Sequence, residues 1–150
     1  MNKNFSKVTE NPSDMITKEA LQMALTRYDL GSKYSLDKNV LEIGCGPGIG
    51  LGYLANQANM VIGGDYDPDM ARTAHLTHSL DSKIAVIQLD AHTLPFKNKS
   101  FDLALLYEAI YYLKDPSIFV KEIRRVLKSG GSVIICSVNN NWADFNPSPL

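Results

Sequence analysis

Short apolar runs alternate along this chain with segments whose apolar residues recur at helical spacing. The short runs predict β-strands at about 39–43, 60–64, 84–89, 101–107 and 132–138. The segments between them predict helices at about 48–57, 68–79 and 116–128. The last strand is apolar at consecutive positions from Val133 to Cys136, as in a parallel strand covered by helices on both faces. The pattern predicts an α/β protein built from successive strand–helix–strand units.

A further helix is predicted before the first strand. Its apolar positions begin near Asp14, and Gly31 is expected to end it because glycine readily adopts the left-handed backbone found after a helix. Two later helices have clear starts at Asp67-Pro68 and Asp115-Pro116, where a capping carboxylate precedes a proline at the first helical position. Gly130-Gly131 is expected to close the last helix.

The chain has the length of a single domain. Its 150 residues can bury roughly 68–70% of the surface that the unfolded chain exposes. Residues 1–13 are mostly polar and are predicted to form a flexible arm, whereas 14–138 carries the strand and helix pattern. Residues 139–150 are predicted to form a C-terminal tail.

Charge and cysteine content narrow the classes of partner. A formal net charge of −1 provides no overall field for recruiting nucleic acid or an anionic membrane. The N-terminus lacks the apolar segment of a signal peptide, and no apolar run approaches the roughly 18 residues of a membrane span. Cys45 and Cys136 have neither metal-binding nor redox spacing, which favours a reducing compartment. We therefore expect a cytoplasmic protein that binds neither nucleic acid nor membranes.

Two clusters of residues suggest other chemistry but have simpler interpretations. His75 and His78 are three positions apart on a predicted helix, yet no cysteine or carboxylate stands at ligand spacing beside them, so no metal site is predicted. Basic residues cluster near the end of the last helix, where cations stabilise the helix dipole. These residues are Lys121, Arg124, Arg125 and Lys128. A solvated helix face is favoured over a nucleic-acid surface.

The most informative segment is the turn after the first predicted strand. Glu42 lies near the end of an apolar run, and glycine then occupies every second position from Gly44 to Gly52. Glycine supplies positive φ angles at low cost and lets a ligand lie directly against the backbone. A dinucleotide fingerprint, Gly-x-Gly-x-x-Gly, is absent because its third glycine would fall on Ile49, Leu51 or Tyr53. A P-loop is also absent, because no Gly-Lys-Ser/Thr sequence follows.

An acidic residue also ends the second predicted strand. Asp65 is placed to accept hydrogen bonds from both hydroxyls of a ribose, as acidic residues do at this position in nucleoside-binding α/β folds. The alternative is that Asp65 or Asp67 simply caps the next helix. Because Asp67 already fills that role, Asp65 is expected to be free for a ligand.

The sequence Glu-x-Gly-x-Gly-x-Gly that begins at Glu42 resembles the first motif of the class I S-adenosylmethionine-dependent methyltransferases. Further signals follow in the order of that family: Asp65 after the second strand and Asp90-Ala91 after the third. Ser100 to Tyr107 resembles the family's fourth strand, and Glu122 to Gly131 resembles the helix and turn before the fifth. Together these motifs cover about two thirds of the chain.

The resemblance implies a binding site for S-adenosylmethionine at the ends of the predicted strands. The methionine portion is expected beside Glu42 and the carbonyl group of Gly44. The adenine amino group is expected to donate to Asp90, while the backbone N–H of Ala91 meets a ring nitrogen. The full set of expected cofactor-binding residues is Glu42, Gly44, Cys45, Gly46, Gly48, Asp65, Tyr66, Asp90, Ala91 and Tyr107.

The other members of this set have more limited expected roles. The backbone at Gly46 and Gly48 is expected under the ribose and the methionine arm. Cys45 contributes its backbone and small size, and Tyr107 a backbone contact to the methionine portion. Tyr66 either packs on one face of the adenine or belongs to the core.

No catalytic residue is assigned. Glu108 is a candidate general base, and Tyr111 or Tyr112 could stack on an acceptor or stabilise the sulfonium through a ring face. The favoured alternative is that these aromatic side chains pack the following turn and that Glu108 is solvated. Asp102 enters the fourth strand from the end opposite the ligand and is expected to be structural.

The resemblance implies a doubly wound, Rossmann-like parallel sheet of order 3-2-1-4-5 and methyl transfer to a small-molecule acceptor. The family's sheet normally adds a C-terminal antiparallel hairpin, which 139–150 cannot supply. We expect either that the sequence is part of a longer enzyme, that a second copy pairs with the fifth strand in a homodimer, or that Trp142 and Phe145 cover that edge. Two other functions stay open, a non-catalytic S-adenosylmethionine-binding module and a nicotinamide-dependent oxidoreductase.

Overall fold

The computed structural model describes residues 18–139, which form a five-stranded sheet flanked by helices. The helices are α1 (Lys18–Ser35), α2 (Leu51–Ala55), α3 (Pro68–Thr77) and α4 (Pro116–Val126), with a short 3-10 helix at Ile110–Tyr112. The strands are β1 (Asn39–Ile43), β2 (Met60–Asp65), β3 (Ile84–Gln88), β4 (Phe101–Tyr107) and β5 (Leu127–Cys136). Within this part of the chain, no helix has both the length and the apolar character that crossing a membrane requires. The predicted arm, 1–13, and residues 140–150 lie outside the described residues.

The strands of this sheet are parallel and lie in the order β3-β2-β1-β4-β5, which confirms the predicted fold. β1 is central, and the chain crosses from one side of it to the other between β3 and β4. The carboxyl ends of β1, β2 and β4 therefore meet at one edge of the sheet. In doubly wound folds this reversal of strand order is where ligands bind.

Both faces of the central strands β1 and β4 are buried, as their apolar residues predict. The expectation that helices cover both faces of β5 is wrong, because Val133 and Ile135 are each 41% exposed. Successive residues of a strand point to opposite faces, so Val40 packs with Leu54 on one side while Leu41 packs with Phe119 and other side chains on the other. Neither Val40 nor Leu41 is exposed at all. The centre of the sheet is thus a closely packed base for the loops at its carboxyl edge.

The expected end of the first helix at Gly31 is wrong, because α1 continues to Ser35. Gly31 lies inside the helix where it approaches β4, and a Cβ atom at this position would come within 2.5 Å of the Tyr107 hydroxyl oxygen. Close packing therefore explains the glycine. The expected start of this helix, at Asp14, lies outside the described residues.

The expectation that Gly130-Gly131 closes the last helix is also wrong, because both glycines lie within β5. While β4 advances from Phe101 to Leu103, its partner β5 advances from Leu127 to Ser132. β5 therefore contains a bulge. Gly130 lies in this bulge with a φ angle of 80°.

Side-chain caps begin α3 and α4 as predicted. Asp67 accepts hydrogen bonds from the backbone N–H groups of Asp69 at 2.8 Å and Met70 at 3.3 Å. Asp115 accepts one from Ser117 at 2.9 Å. A proline follows each cap inside the first turn.

One basic residue of α4 holds the segment between β3 and β4. The guanidinium group of Arg125 donates to the two carboxylate oxygens of Glu122 at 2.8 and 2.7 Å. It also donates to the carbonyl oxygens of Leu94 at 2.9 Å and Phe96 at 2.6 Å. Arg125 is therefore engaged within the molecule.

Asp102 joins the starts of three strands, in agreement with its expected structural role. It accepts from the backbone N–H of Asn39 at 3.0 Å and from the Nζ atom of Lys128 at 2.8 Å. The hydrogen bond from Lys128 is the main cause that lowers the pKa of Asp102. Lys128, like Arg125, is thus paired inside the protein.

Candidate functional site

A cleft of about 980 Å³ opens at the carboxyl edge of the sheet. It lies where the strand order reverses, the usual position of a ligand in this architecture. Every residue of the expected cofactor set except Gly48 lines this cleft. These residues are Glu42, Gly44, Cys45, Gly46, Asp65, Tyr66, Asp90, Ala91 and Tyr107.

The turn after β1 has a conformation that depends on glycine. Gly44, Gly46 and Gly48 have φ angles of 72°, 55° and 83°, in a region that other residues rarely adopt. The N–H groups of Gly44 and Cys45 donate to the carbonyl oxygen of Gly64 at 2.8 and 3.1 Å. These two bonds fix the turn to β2, and Gly44 and Gly46 present only backbone to the cleft.

The residues that line the cleft do not include Gly48, whose backbone the sequence predicts to lie under the cofactor. Its missing side chain instead makes room for α3. A Cβ atom on Gly48 would lie 2.9 Å from the Cβ atom of Ala74 and 3.2 Å from the ring of His78. The Nε2 atom of His78 is also 2.7 Å from the carbonyl oxygen of Gly48. Within residues 18–139, no group of three or more His, Cys, Asp or Glu side chains could hold a metal ion.

Asp65 borders the cleft and also orders the glycine turn. Its Oδ2 atom accepts from the N–H of Gly46 at 2.8 Å, and its Oδ1 atom from the N–H of Asp67 at 2.9 Å. Asp67 caps α3 as expected, and Asp65 in addition has two contacts within the protein that the sequence does not predict. A carboxylate has about four acceptor positions, so Asp65 can still accept from a ligand. Burial raises the pKa of Asp65, against the effect of these two hydrogen bonds.

Glu42 is 1% exposed, yet it contributes to the wall of the cleft. The hydroxyl of Tyr28 donates to its Oε1 atom at 2.7 Å. Its Oε2 atom has no hydrogen-bond partner within residues 18–139. Burial raises the pKa of Glu42 to about 7, opposed by the Tyr28 hydrogen bond and the charge of Arg27. A buried carboxylate oxygen without a partner is costly, and a cationic group of a ligand would satisfy it.

Arg27 and Tyr28 both line the cleft from α1, a role that the sequence does not indicate. Their positions are compatible with one face of a helix, and their partners are distant in sequence. The Tyr28 ring lies edge-on to Tyr107, with ring centroids 5.4 Å apart. A Cβ atom on Gly50 would overlap the Tyr28 ring. The fourth glycine of the alternating run therefore makes room for this tyrosine.

Glu108 is paired, so the favoured expectation that it is solvated is wrong. Arg27 forms an ion pair with its Oε1 atom at 3.0 Å. The Tyr111 hydroxyl and the Val138 N–H donate to its Oε2 atom at 3.3 and 3.2 Å. The ring of Tyr111 also packs against Tyr112, with centroids 4.6 Å apart. Both carboxylate oxygens of Glu108 are thus engaged.

The residues after β3 form a small hydrogen-bonded group. The Oδ1 atom of Asp90 accepts from the backbone N–H of His92 and lies 2.8 Å from its Nδ1 atom. The Nε2 atom of His92 accepts from the N–H of Asp115 at 3.2 Å, so the ring proton is on Nδ1, toward Asp90. Tyr66 also lines the cleft and is 57% exposed. This exposure excludes the alternative that it belongs to the core.

A second hollow of about 710 Å³ adjoins the cleft along α1. Met23, Arg27 and Glu108 line both spaces. The ion pair between Arg27 and Glu108 therefore lies at their common boundary. Cys136 lines only the second hollow, and burial raises the pKa of its thiol, as it does that of Cys45.

Known proteins resemble this chain over most of its length. Residues 41–135 match the family model described as a methyltransferase domain. The chain is 34% identical over 135 residues to the norajmaline N-methyltransferase of Rauvolfia serpentina, covering 87% of this chain and 44% of that protein. It is 34% identical over 102 residues to a probable S-adenosylmethionine-dependent methyltransferase of Mycobacterium tuberculosis, covering 68% of this chain and 36% of that protein.

The fold also matches those of solved structures of other proteins. The PH0226 protein of Pyrococcus horikoshii superposes with a TM-score of 0.74 at 30% identity, covering 89% of this chain and 65% of that one. The chain spans less than half the length of the two curated relatives, at 44% and 36%. From its family match and its sheet order, the chain belongs to the methyltransferase domain family, among the class I S-adenosylmethionine-dependent methyltransferases.

Proposed function

We propose that the chain binds S-adenosylmethionine in the cleft and transfers its methyl group to a small-molecule acceptor. The observation that carries this proposal is the buried carboxylate of Glu42, whose Oε2 atom has no partner within residues 18–139. The cofactor has an ammonium group that fits such an oxygen. The backbone of Gly44 and Gly46, with its positive φ angles, offers a surface without side chains beside it.

Three groups along the cleft suit the parts of this ligand. Asp65 keeps acceptor capacity for the ribose hydroxyls while it orders the turn. Asp90 and the N–H of Ala91 are the proposed partners of the adenine. Tyr66, which is exposed at the cleft, is proposed to cover one face of that ring. Cys45 and Tyr107 complete the proposed set.

The proposed chemistry depends on positioning. When bound, the cofactor supplies a reactive sulfonium methyl group, so the protein has mainly to align donor and acceptor and to exclude water. Such alignment can contribute about 7–11 kcal/mol to catalysis. Both oxygens of Glu108 are engaged by Arg27, Tyr111 and Val138, so we assign it no role as general base. The hollow beside the Arg27–Glu108 pair is the proposed entrance for an acceptor.

A small-molecule acceptor is proposed from the relatives. One of them is named as an N-methyltransferase of norajmaline, a small molecule. Production of S-adenosylhomocysteine with small amines, alcohols, thiols or carboxylic acids tests the enzyme. Tight binding of the cofactor with no turnover of any acceptor would favour the non-catalytic binding module instead.

Titration calorimetry with S-adenosylmethionine tests the cofactor site. Asp65→Ala should weaken binding by about 1.5–3 kcal/mol, because charged hydrogen bonds to the ribose are lost. Asp29→Ala is the control, since it removes an exposed carboxylate of α1 that pairs only locally with Lys33 in the contacts described. Melting temperatures show whether each variant is folded. Wild-type affinity in Asp65→Ala would contradict the assignment of the ribose site.

We also propose that the protein is cytoplasmic, binds no nucleic acid and pairs with a second copy. The thiols of Cys45 and Cys136 are unpaired, which supports a cytoplasmic protein and can be checked by cell fractionation. The intramolecular contacts of Arg125 and Lys128 support a protein that does not bind nucleic acid, which gel-shift experiments can test. β5 lies at an edge of the described sheet, which supports pairing with a second copy.

A further inference from the structure

Tyr28 contacts Glu42, the buried carboxylate of the cleft, but has no part in the function proposed above. Its hydroxyl donates to the Oε1 atom of Glu42 at 2.7 Å. The other oxygen of Glu42, on the same buried side chain, has no partner within residues 18–139. One oxygen of this carboxylate therefore accepts a hydrogen bond from α1, and the other is buried without a partner among the described residues.

Packing keeps the Tyr28 hydroxyl in place. The ring meets Tyr107 edge-on at 5.4 Å between centroids, and it occupies the space beside Gly50 that a side chain would fill. Tyr107 in turn donates its hydroxyl to the carbonyl oxygen of Arg27, in the same turn of α1, at 3.1 Å. The position of α1 and the position of the Glu42 carboxylate are thus coupled.

Several ionisable groups face Glu42 from the elements around it. Arg27 on α1 favours the ionised carboxylate, as the Tyr28 hydrogen bond does, whereas Asp65 at the end of β2 opposes it. Cys45 in the glycine turn and Tyr107 on β4 also face Glu42; burial first, and then the charge of Glu42, raises the pKa of both groups. Because Arg27 is already paired with Glu108, Tyr28 provides the direct hydrogen bond.

We propose that Tyr28 is a positioning residue, which holds Glu42 so that its second oxygen receives the ammonium group of the ligand's amino-acid portion. This inference rests on the proposed function, since it needs a nucleoside with an amino-acid portion in the cleft. The ammonium group would satisfy the oxygen that folding leaves without a partner. Donation from Tyr28 stabilises the charged form of Glu42 that this contact requires.

Two ligands and a pH series test the proposal in the 150-residue chain. S-adenosylhomocysteine carries the ammonium group, whereas 5′-methylthioadenosine lacks the amino-acid portion. Binding of the first to the wild type should weaken as the pH falls from about 7 to about 5.5, approaching tenfold per pH unit, because Glu42 becomes protonated. Binding of the second should not change with pH in this range.

Removing the Tyr28 hydroxyl should affect only the ligand with the ammonium group. Tyr28→Phe should weaken S-adenosylhomocysteine binding about tenfold at neutral pH and move the midpoint of its pH dependence upward. Binding of 5′-methylthioadenosine should match the wild type, which also shows that the variant is folded. Tyr34→Phe is the control, because Tyr34 lies on the same helix, is 50% exposed and is outside the cleft lining.

A double-mutant cycle separates positioning from direct contact. Glu42→Gln should abolish the pH dependence, and Tyr28→Phe in that background should cause no further loss. Equal weakening of both ligands in Tyr28→Phe, or an unchanged pH midpoint, would overturn the inference while leaving the cofactor site intact. Failure of both ligands to bind the wild type would overturn the proposed function together with the inference.

Discussion

At Glu42, burial on folding disfavours the ionised carboxylate, whereas the proposed contact with a cationic ligand requires it. The side chain is buried beside the glycine turn, and its pKa in the folded protein is about 7, compared with an ordinary value of 4.5. The folded protein therefore holds this proton more tightly than the unfolded chain does. The carboxyl favours folding below its unfolded pKa, and that contribution is lost as the pH rises through the folded pKa.

Glu42→Gln should consequently stabilise the ligand-free protein at about pH 8. The gain is on the order of 3 kcal/mol, from a pKa difference of about 2.5, and it should disappear near pH 4. Urea unfolding at the two pH values measures it. Glu122→Gln is the control with the opposite sign, because the hydrogen bond from Arg125 lowers the pKa of Glu122. Equal stability of Glu42→Gln and the wild type at pH 8 would show that the buried charge costs little.

At this scale, the sequence predicts the carboxylates of the cleft better than their partners. Glu42, Asp65 and Asp90 can be recognised because each stands at or near the end of a predicted strand. Arg27 and Tyr28 cannot, because their contacts with Glu108 and Glu42 form only after α1 packs on the sheet. Helical spacing specifies which face of α1 is buried, but not what that face meets.

At the scale of elements, the contact between Gly48 and Ala74 determines how closely α3 approaches the glycine turn. Gly48→Ala should destabilise the protein more than Gly130→Ala. Both residues have similar φ angles, 83° and 80°, so the backbone strain is matched. Only at Gly48 would the new Cβ atom meet the backbone and side chain of α3, whereas nothing lies within 4 Å of it at Gly130.

The difference between the two variants isolates the packing contribution. Overpacking of this kind costs about 1–3 kcal/mol, and chemical denaturation of the two variants measures it. Ala74→Gly added to Gly48→Ala should recover part of the loss. Equal destabilisation by Gly48→Ala and Gly130→Ala would mean that α3 moves away at little cost.

Gly31 and Gly130 show why the sequence predicts helices and strands better than the residues at which they end. The caps at Asp67 and Asp115 act through neighbours two or three residues away, so the sequence identifies them. A glycine can end a helix, form a bulge or permit a close approach. At Gly31 and Gly130 the choice depends on Tyr107 and on the register with β4, which are remote in sequence.

At the scale of the whole molecule, alternation of strands and helices predicts the parallel sheet, and resemblance to the methyltransferases supplies its order. Neither specifies what covers β5. Val133 and Ile135 on this strand are each 41% exposed, and a long apolar edge strand favours association.

If a second copy pairs with β5, sedimentation velocity should reveal a concentration-dependent dimer. Val133→Lys should shift the protein toward monomer, because the two new lysine charges would be buried or would repel each other where the copies meet. Leu80→Lys introduces the same charge at a site that is 99% exposed and should leave the equilibrium unchanged. A wild-type chain that sediments as a monomer at every concentration would contradict the dimer.

The burial of Glu42 has a further consequence for the heat of cofactor binding. With a pKa of about 7, this carboxyl holds a proton in about half of the molecules at neutral pH. A cation that binds beside it would expel that proton, so the surrounding buffer must take up about half an equivalent. The apparent enthalpy should therefore be different in Tris, which has a large heat of ionisation, and in phosphate, which has a small one.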